Sequence, residues 1–226
     1  MSAYRSQHPA PRLFVVEFAV VAAIFWADWA GYIPLSKTIP LFFIAWIFMA
    51  MRRVTWKSVG FAFPAHWLKL TGLGLIAGIA IFSFEFFILQ NAILKLTGEL
   101  PDLHEFDPVV GNFKILLLLL GLNLVLAAFG EEMVWRGYAL PRVASLLGES
   151  RMAWVAALIL VNVGFGFAHL YQGLPGVIET IVAGVFLGAL YLAADRNLLA
   201  PMAAHFTSNT IDFSVMYLGL YPGVGN

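Results

Sequence analysis

Gly130-Glu131-Glu132-Met133-Val134-Trp135-Arg136-Gly137 follows directly on the apolar run Ile115–Phe129. That run is long and apolar enough to form most of a membrane-crossing helix. Ionisable groups at membrane depth cost at least ~2.5 kcal/mol each, so three together point to a functional site. On a helix, Glu132 and Arg136 stand at i and i+4 on one face, where they can pair. Glu131 is turned about 100° away. The arginine therefore neutralises one carboxylate and leaves the other free. The alternative is a structural ion pair with a stray glutamate at a helix end, and two polar pairs downstream weigh against it.

Composition sets the class. Hydrophobic residues make up 61% of the 226 residues and charged residues only 12%, about half the share of a soluble domain. The expectation is an all-α polytopic membrane protein, one membrane-embedded domain over 1–226 with its motif-bearing core at 113–221. The chain has no cysteine, which excludes disulfides, thiol nucleophiles, palmitoylation and thiolate metal ligands. No basic run suggests nucleic acid. The first apolar run is a full span without a small-residue cleavage site, unlike a signal peptide.

Seven apolar segments can be drawn, at about 12–33, 38–51, 68–95, 113–140, 151–170, 176–194 and 200–221. About seven transmembrane helices should thus enclose a polar intramembrane site. The second segment is short for a span. Residues 54–67, with Trp56, Phe61, Phe63 and Trp67, read as an interfacial stretch. Arg5, Arg12, Arg52, Arg53, Lys57, Lys69, Arg142, Arg151 and Arg196 fall on one side, and Glu99, Asp102, Glu105 and Asp107 on the other. Basic loops stay cytoplasmic, so the N-terminus is expected inside and the C-terminus outside.

Few titratable groups remain within the segments. Glu17 and Asp28 are expected to reach water near the ends of the first helix. Glu85, near the middle of the third, should bond a neighbouring helix, with a substrate or proton role as the alternative. Glu179 and Asp212 read as structural. Of the histidines, His8, His66 and His104 fall in loops, whereas His169 and His205 fall in spans. Phe165 and His169 share a face at helical spacing, as do His205 and Asn209. A His and an Asn one turn apart, both donors, suit an oxyanion better than they suit packing. Around the turn 147–150, Glu131 and His169 lie 18 and 20 residues from residue 149. At ~1.5 Å per residue they are level to within roughly 3 Å. His205 lies about 9 residues, or ~13 Å, from the turn 195–197. All three sets should therefore fall in the half of the membrane nearest the basic turns, and the site should open there.

Glu131-Glu132-x-x-x-Arg136, Phe165-x-x-x-His169 and His205-x-x-x-Asn209 resemble, in order, the three motifs of the CAAX protease and bacteriocin-processing family, also called Abi. That family includes the type II CAAX prenyl endopeptidases. The motifs cover 130–209; the first three helices match only in hydropathy. The resemblance implies an intramembrane glutamic endopeptidase acting through an activated water, without a covalent intermediate or a cofactor. Glu131 would be the general base, sharing the water with His169. His205 and Asn209 would stabilise the oxyanion, while Glu132 and Arg136 hold the helix in place. A zinc-dependent version, with Glu131, His169 and His205 as ligands, is the alternative.

Other classes fit less well. No Gly-x-Gly-Asp element is present, and the one Gly-x-Ser-x, Gly148-Glu149-Ser150-Arg151, falls in the turn 147–150 and supplies no serine nucleophile within a span. A proton-coupled transporter would be expected to carry inverted repeats or broken-helix pairs. A membrane immunity or peptide-binding protein would keep the fold without the chemistry. The short loops look like those of a prokaryotic plasma-membrane member. The implied partners are the lipid bilayer and a membrane-associated or lipidated peptide or protein substrate.

Overall fold

A computed structural model describes residues 11–225 of the chain, with side chains from residue 14 onward. Arg5, His8 and the side chain of Arg12 lie outside the described residues. Among the described residues every regular element is helical. The helices form seven rods: α1 (Pro11–Trp29), α2 (Thr38–Met51), α3 (Trp67–Thr97), α4 (Phe113–Leu146), α5 (Arg151–Phe167), α6 (Gly173–Ala193) and α7 (Leu199–Tyr217). Three stretches are long and apolar enough to cross a membrane, namely Trp67–Thr97, Phe113–Leu146 and Leu170–Ala193. α2 and α5 are shorter apolar helices, so length and composition alone do not carry the expected seven spans. Ile76, Ile79, Leu117, Leu118 and Leu124 are exposed on the outward faces of α3 and α4. In lipid such a surface is covered.

The rods begin and end where local chemistry dictates. Asn112 accepts from the Ile115 N–H and caps α4; Ser150 accepts from the Ala153 N–H and caps α5. Gly98 closes α3 in the left-handed conformation, with φ of 82°. α4 runs past the expected end at 140. Pro141 falls in the last turns of the rod, directly after the π-helical stretch Met133–Ala139. α4 also departs from α geometry through its centre, with π-helical turns at Asn123–Glu131 and Met133–Ala139. π-turns inside α-helices cluster at functional sites.

Charge separates the two ends of the bundle. At one end, the turns after α2, α4 and α6 meet: the Leu198 N–H donates to Gly60 O at 3.0 Å, and the Arg196 guanidinium lies 5.2 Å from the Trp154 ring centre. Glu17 sits here too, contrary to expectation. It is 5% exposed, ion-paired with Arg52 and Arg142, and accepts from the Tyr138 hydroxyl at 2.8 Å. Arg52 from the turn after α2 and Arg142 from the last turns of α4 enclose the carboxylate. Asp28, by contrast, keeps partial exposure and pairs with Lys37 at 2.8 Å. At the other end the acidic loop 98–112 meets the turn after α5, where the Asp102 N–H donates to Gln172 O at 3.0 Å. It also meets the end of α7, where the Gly111 N–H donates to Tyr217 O at 2.9 Å.

α3 lies against α7 through two glycines at the small-xxx-small spacing of close helix pairs. A Cβ at Gly74 would sit 2.3 Å from Ala200 O, and one at Gly78 would sit 2.4 Å from Ala204 O. Both obstacles are backbone and cannot swing aside. Gly78→Leu should therefore cost about 1–3 kcal/mol of stability, read as a lower thermal midpoint in detergent. Gly72→Leu is the control, because a Cβ there meets nothing within 4 Å. Equal midpoints for the two variants would contradict this packing.

Candidate active site

The site is built around α4. Arg136, 1% exposed, donates from Nη1 to Glu132 Oε1 at 2.9 Å, so the pair expected from i, i+4 spacing is present. Its Nη2 reaches Asn162 Oδ1 on α5 at 3.1 Å and Gly184 O on α6 at 2.9 Å. A side chain at Gly184 would put its Cβ 2.5 Å from Asn162 Oδ1, so glycine keeps that carbonyl within reach. The guanidinium also lies 4.7 Å from the centre of the Phe165 ring, a cation–π contact.

Glu132 has a second partner that spacing did not suggest. His205 Nδ1, on α7, lies 2.8 Å from the same Oε1 that receives Arg136. A carboxylate oxygen accepts, so Nδ1 carries the proton and Nε2 is left for the cavity. His169 is fixed the same way. Its Nδ1 is 3.0 Å from Phe165 O, and a carbonyl can only accept. In the neutral ring, Nε2 of His169 is then a lone pair. His169 does not lie within a helix, as expected, but two residues past the end of α5, at the 3-10 turn Leu170–Gln172. Its ring still meets Phe165 edge-on, with centroids 5.0 Å apart.

Glu131 takes no part in the Arg136 network. Its Oε1 receives a long hydrogen bond, 3.4 Å, from the hydroxyl of Thr38 at the start of α2. A Cβ at position 130 would come 2.8 Å from Thr38 Cγ2, so Gly130 admits α2 to this position. Glu131, His169, His205 and Asn209 all line one cavity of about 270 Å³. Glu131 and His205 are both close enough to His169 to act on it electrostatically. Phe165 also lines this space; Glu132 and Arg136 are buried behind it.

Thr38 and Asn162 were not singled out from the sequence. Asn162 was visible as a lone amide in the apolar run of α5, the same signal that drew attention to Glu85. Thr38 follows a turn and gave none. Glu179 and Asp212, read as structural, line the cavity with Glu85.

The expected opening toward the basic turns is not met. Leu103 and Phe106 of the acidic loop, Tyr171, Gln172 and Tyr221 line the cavity, and no residue of the basic turns does. The physical reason is the end of α5 at Phe167, which puts His169 at the acidic end of its rod. Among the described residues no three His, Asp or Glu side chains come together as a group able to hold a metal ion.

The family model for type II CAAX prenyl endopeptidase, Rce1-like, matches residues 113–211. No curated protein and no solved structure matches the chain. The matched stretch holds the glutamate pair, Arg136, both histidines and Asn209, and over it the chain is similar to the Rce1-like type II CAAX prenyl endopeptidases.

Proposed function

We propose that the chain is an intramembrane endopeptidase that hydrolyses a peptide bond of a membrane-associated or lipidated substrate with a glutamate-activated water. The observation that carries this reading is the convergence of Glu131, His169, His205 and Asn209, from the α4, α5 and α7 regions, on one interior cavity. Similarity over 113–211 to a protease family favours this over a transporter or a peptide-binding protein without chemistry.

Glu131 is the base because, among the described residues, no cation forms an ion pair with its carboxylate, whereas Glu132 is held by Arg136. His169 Nε2, a lone pair in the neutral ring, accepts a hydrogen bond from the same water and orients it. Glu131 removes the proton as the water oxygen bonds to the scissile carbonyl carbon. The resulting oxyanion is held by the Asn209 amide and by His205 Nε2–H, which exists when both nitrogens of that ring carry protons. Glu132 is placed to stabilise such a ring, since its carboxylate lies on Nδ1. Glu131 then passes its proton to the leaving nitrogen as the C–N bond breaks, releasing a carboxylic acid and an amine. General acid–base help of this kind contributes about 10²–10⁴-fold.

The positive-inside rule puts the basic end at the cytoplasm, and the acidic loop with the cavity lining outside. A prokaryotic plasma membrane is the proposed setting.

Two outcomes separate the glutamates. Glu131→Gln should lower kcat by about 10²–10⁴-fold in a protein that keeps its thermal midpoint, measured on the reconstituted chain with a lipidated peptide. Undiminished turnover would remove Glu131 from the mechanism. Glu132→Gln instead strands Arg136, and breaking a buried pair costs about 3–5 kcal/mol. Its signature is a fall in the midpoint together with loss of activity; a midpoint equal to the native one would show that Glu132 does not hold the fold.

A further inference from the structure

The cavity continues past the catalytic constellation into a second polar region that the proposed hydrolysis does not use. His205, Asn209 and Asp212 stand at i, i+4 and i+7 on α7, one stripe of that helix. The stripe that carries the oxyanion donors thus carries a carboxylate one turn further on. Glu85 from α3 and Glu179 from α6 line the cavity beside it. The three carboxylates are near enough to act on one another electrostatically.

Nothing among the described residues balances them. Among the described residues no lysine, arginine or histidine ion-pairs with Glu85, Glu179 or Asp212. Their partners are neutral: Gln90 Nε2 donates to Glu179 at 3.1 Å and to the Tyr221 hydroxyl at 2.7 Å, and Tyr221 bonds Asp212. Glu85 Oε1 is shut off from solvent, without a hydrogen-bond partner, on a residue that lines the cavity. Gln90, 4% exposed, also leaves Oε1 unpartnered. Like charges this close disfavour one another's ionisation unless a cation joins them. A metal ion does not fit, because no three of these side chains come together as metal ligands. A longer, directional cation does.

We infer that this acidic end of the cavity is a specificity subsite for a lysine or arginine side chain of the substrate, and the inference rests on the protease reading above. From Asn209 to Asp212 the helix rises ~4.5 Å, and an extended peptide advances ~3.3 Å per residue. The basic residue therefore stands within about two positions of the scissile bond. Substrates of this enzyme are membrane-associated peptides with a positive charge beside the cleavage site.

The test uses the full chain in phosphatidylcholine nanodiscs and stearoylated fluorescent octapeptides carrying Lys, Gln or Glu at each position in turn. Cleavage is mapped by mass spectrometry. At one position within two residues of the cut, Lys should exceed Gln in kcat/KM by about 10-fold or more, with Glu poorer still. Asp212→Asn and Glu179→Gln should bring that ratio to within about twofold, a loss of most of the discrimination. The peptide scan needs no variant, so a variant that fails to fold does not decide the matter. Equal cleavage of Lys and Gln peptides at every position overturns the subsite while leaving the protease intact. If no peptide is cut, the protease reading fails separately. Anisotropy with Glu131→Gln protein then decides the subsite: tighter binding of a Lys peptide than its Gln counterpart upholds it, and equal binding ends it.

Discussion

A single guanidinium organises the centre of this molecule. Arg136 is buried among apolar side chains, where an ionised group is tolerable only if its charge and its donors are met. Glu132 supplies the charge, and Asn162 with the Gly184 carbonyl supplies further acceptors. Those three groups come from α4, α5 and α6, and Glu132 extends the connection to His205 on α7. Four rods are thus held in register by one side chain. The Phe165 ring under the same cation fixes the approach to His169, whose Nδ1 is bonded to the Phe165 carbonyl. Both histidines accordingly take their positions from Arg136, although neither touches it.

The part of this arrangement that spacing controls could be read from the chain. The i, i+4 partnership of Glu132 and Arg136 is local, and so were the seven apolar segments, whose limits agree closely with the helices. What escaped was set by distance in sequence or by departures from α geometry. Glu132 and His205 are 73 residues apart, and no periodicity within one helix can bring them together. The position of Glu17 near the start of α1 suggests contact with water, yet Arg52 after α2 and Arg142 near the end of α4 bury it. His169 was placed in a helix that ends two residues earlier. That shift also moved the cavity lining toward the acidic end.

The π-helical turns of α4 bear on the same point. In a π-turn the backbone bonds i to i+5, so side chains that an α-helix would space evenly around the axis are redistributed. Asn123, at the start of the first π stretch, donates to Phe206 O at 3.0 Å and to the Thr210 hydroxyl at 3.3 Å. This ties the irregular part of α4 to the rod that carries His205 and Asn209. One side of the irregular stretch, with Asn123, Ala128 and Gly130, is buried against neighbouring helices, while Leu124 and Val125 face outward.

Charge is distributed unevenly along the cavity, and the proposed chemistry gives that distribution a direction. Behind one wall stands Arg136, its charge relayed by Glu132 to His205; beyond Asn209 stand three carboxylates that no cation among the described residues pairs with. In surroundings of low dielectric, the interaction of these carboxylates with a cation that joins them is only weakly screened. A peptide entering this space with a carbonyl and a cationic side chain has one favourable orientation. The carbonyl oxygen turns toward His205 and Asn209, where negative charge develops in the reaction, and the cation turns toward Asp212. Reversal would set the oxyanion among carboxylates and the cation against the His205–Arg136 side, two unfavourable contacts at once. The acidic end would then act on catalysis as well as binding, because it fixes which face of the scissile bond meets the water on Glu131.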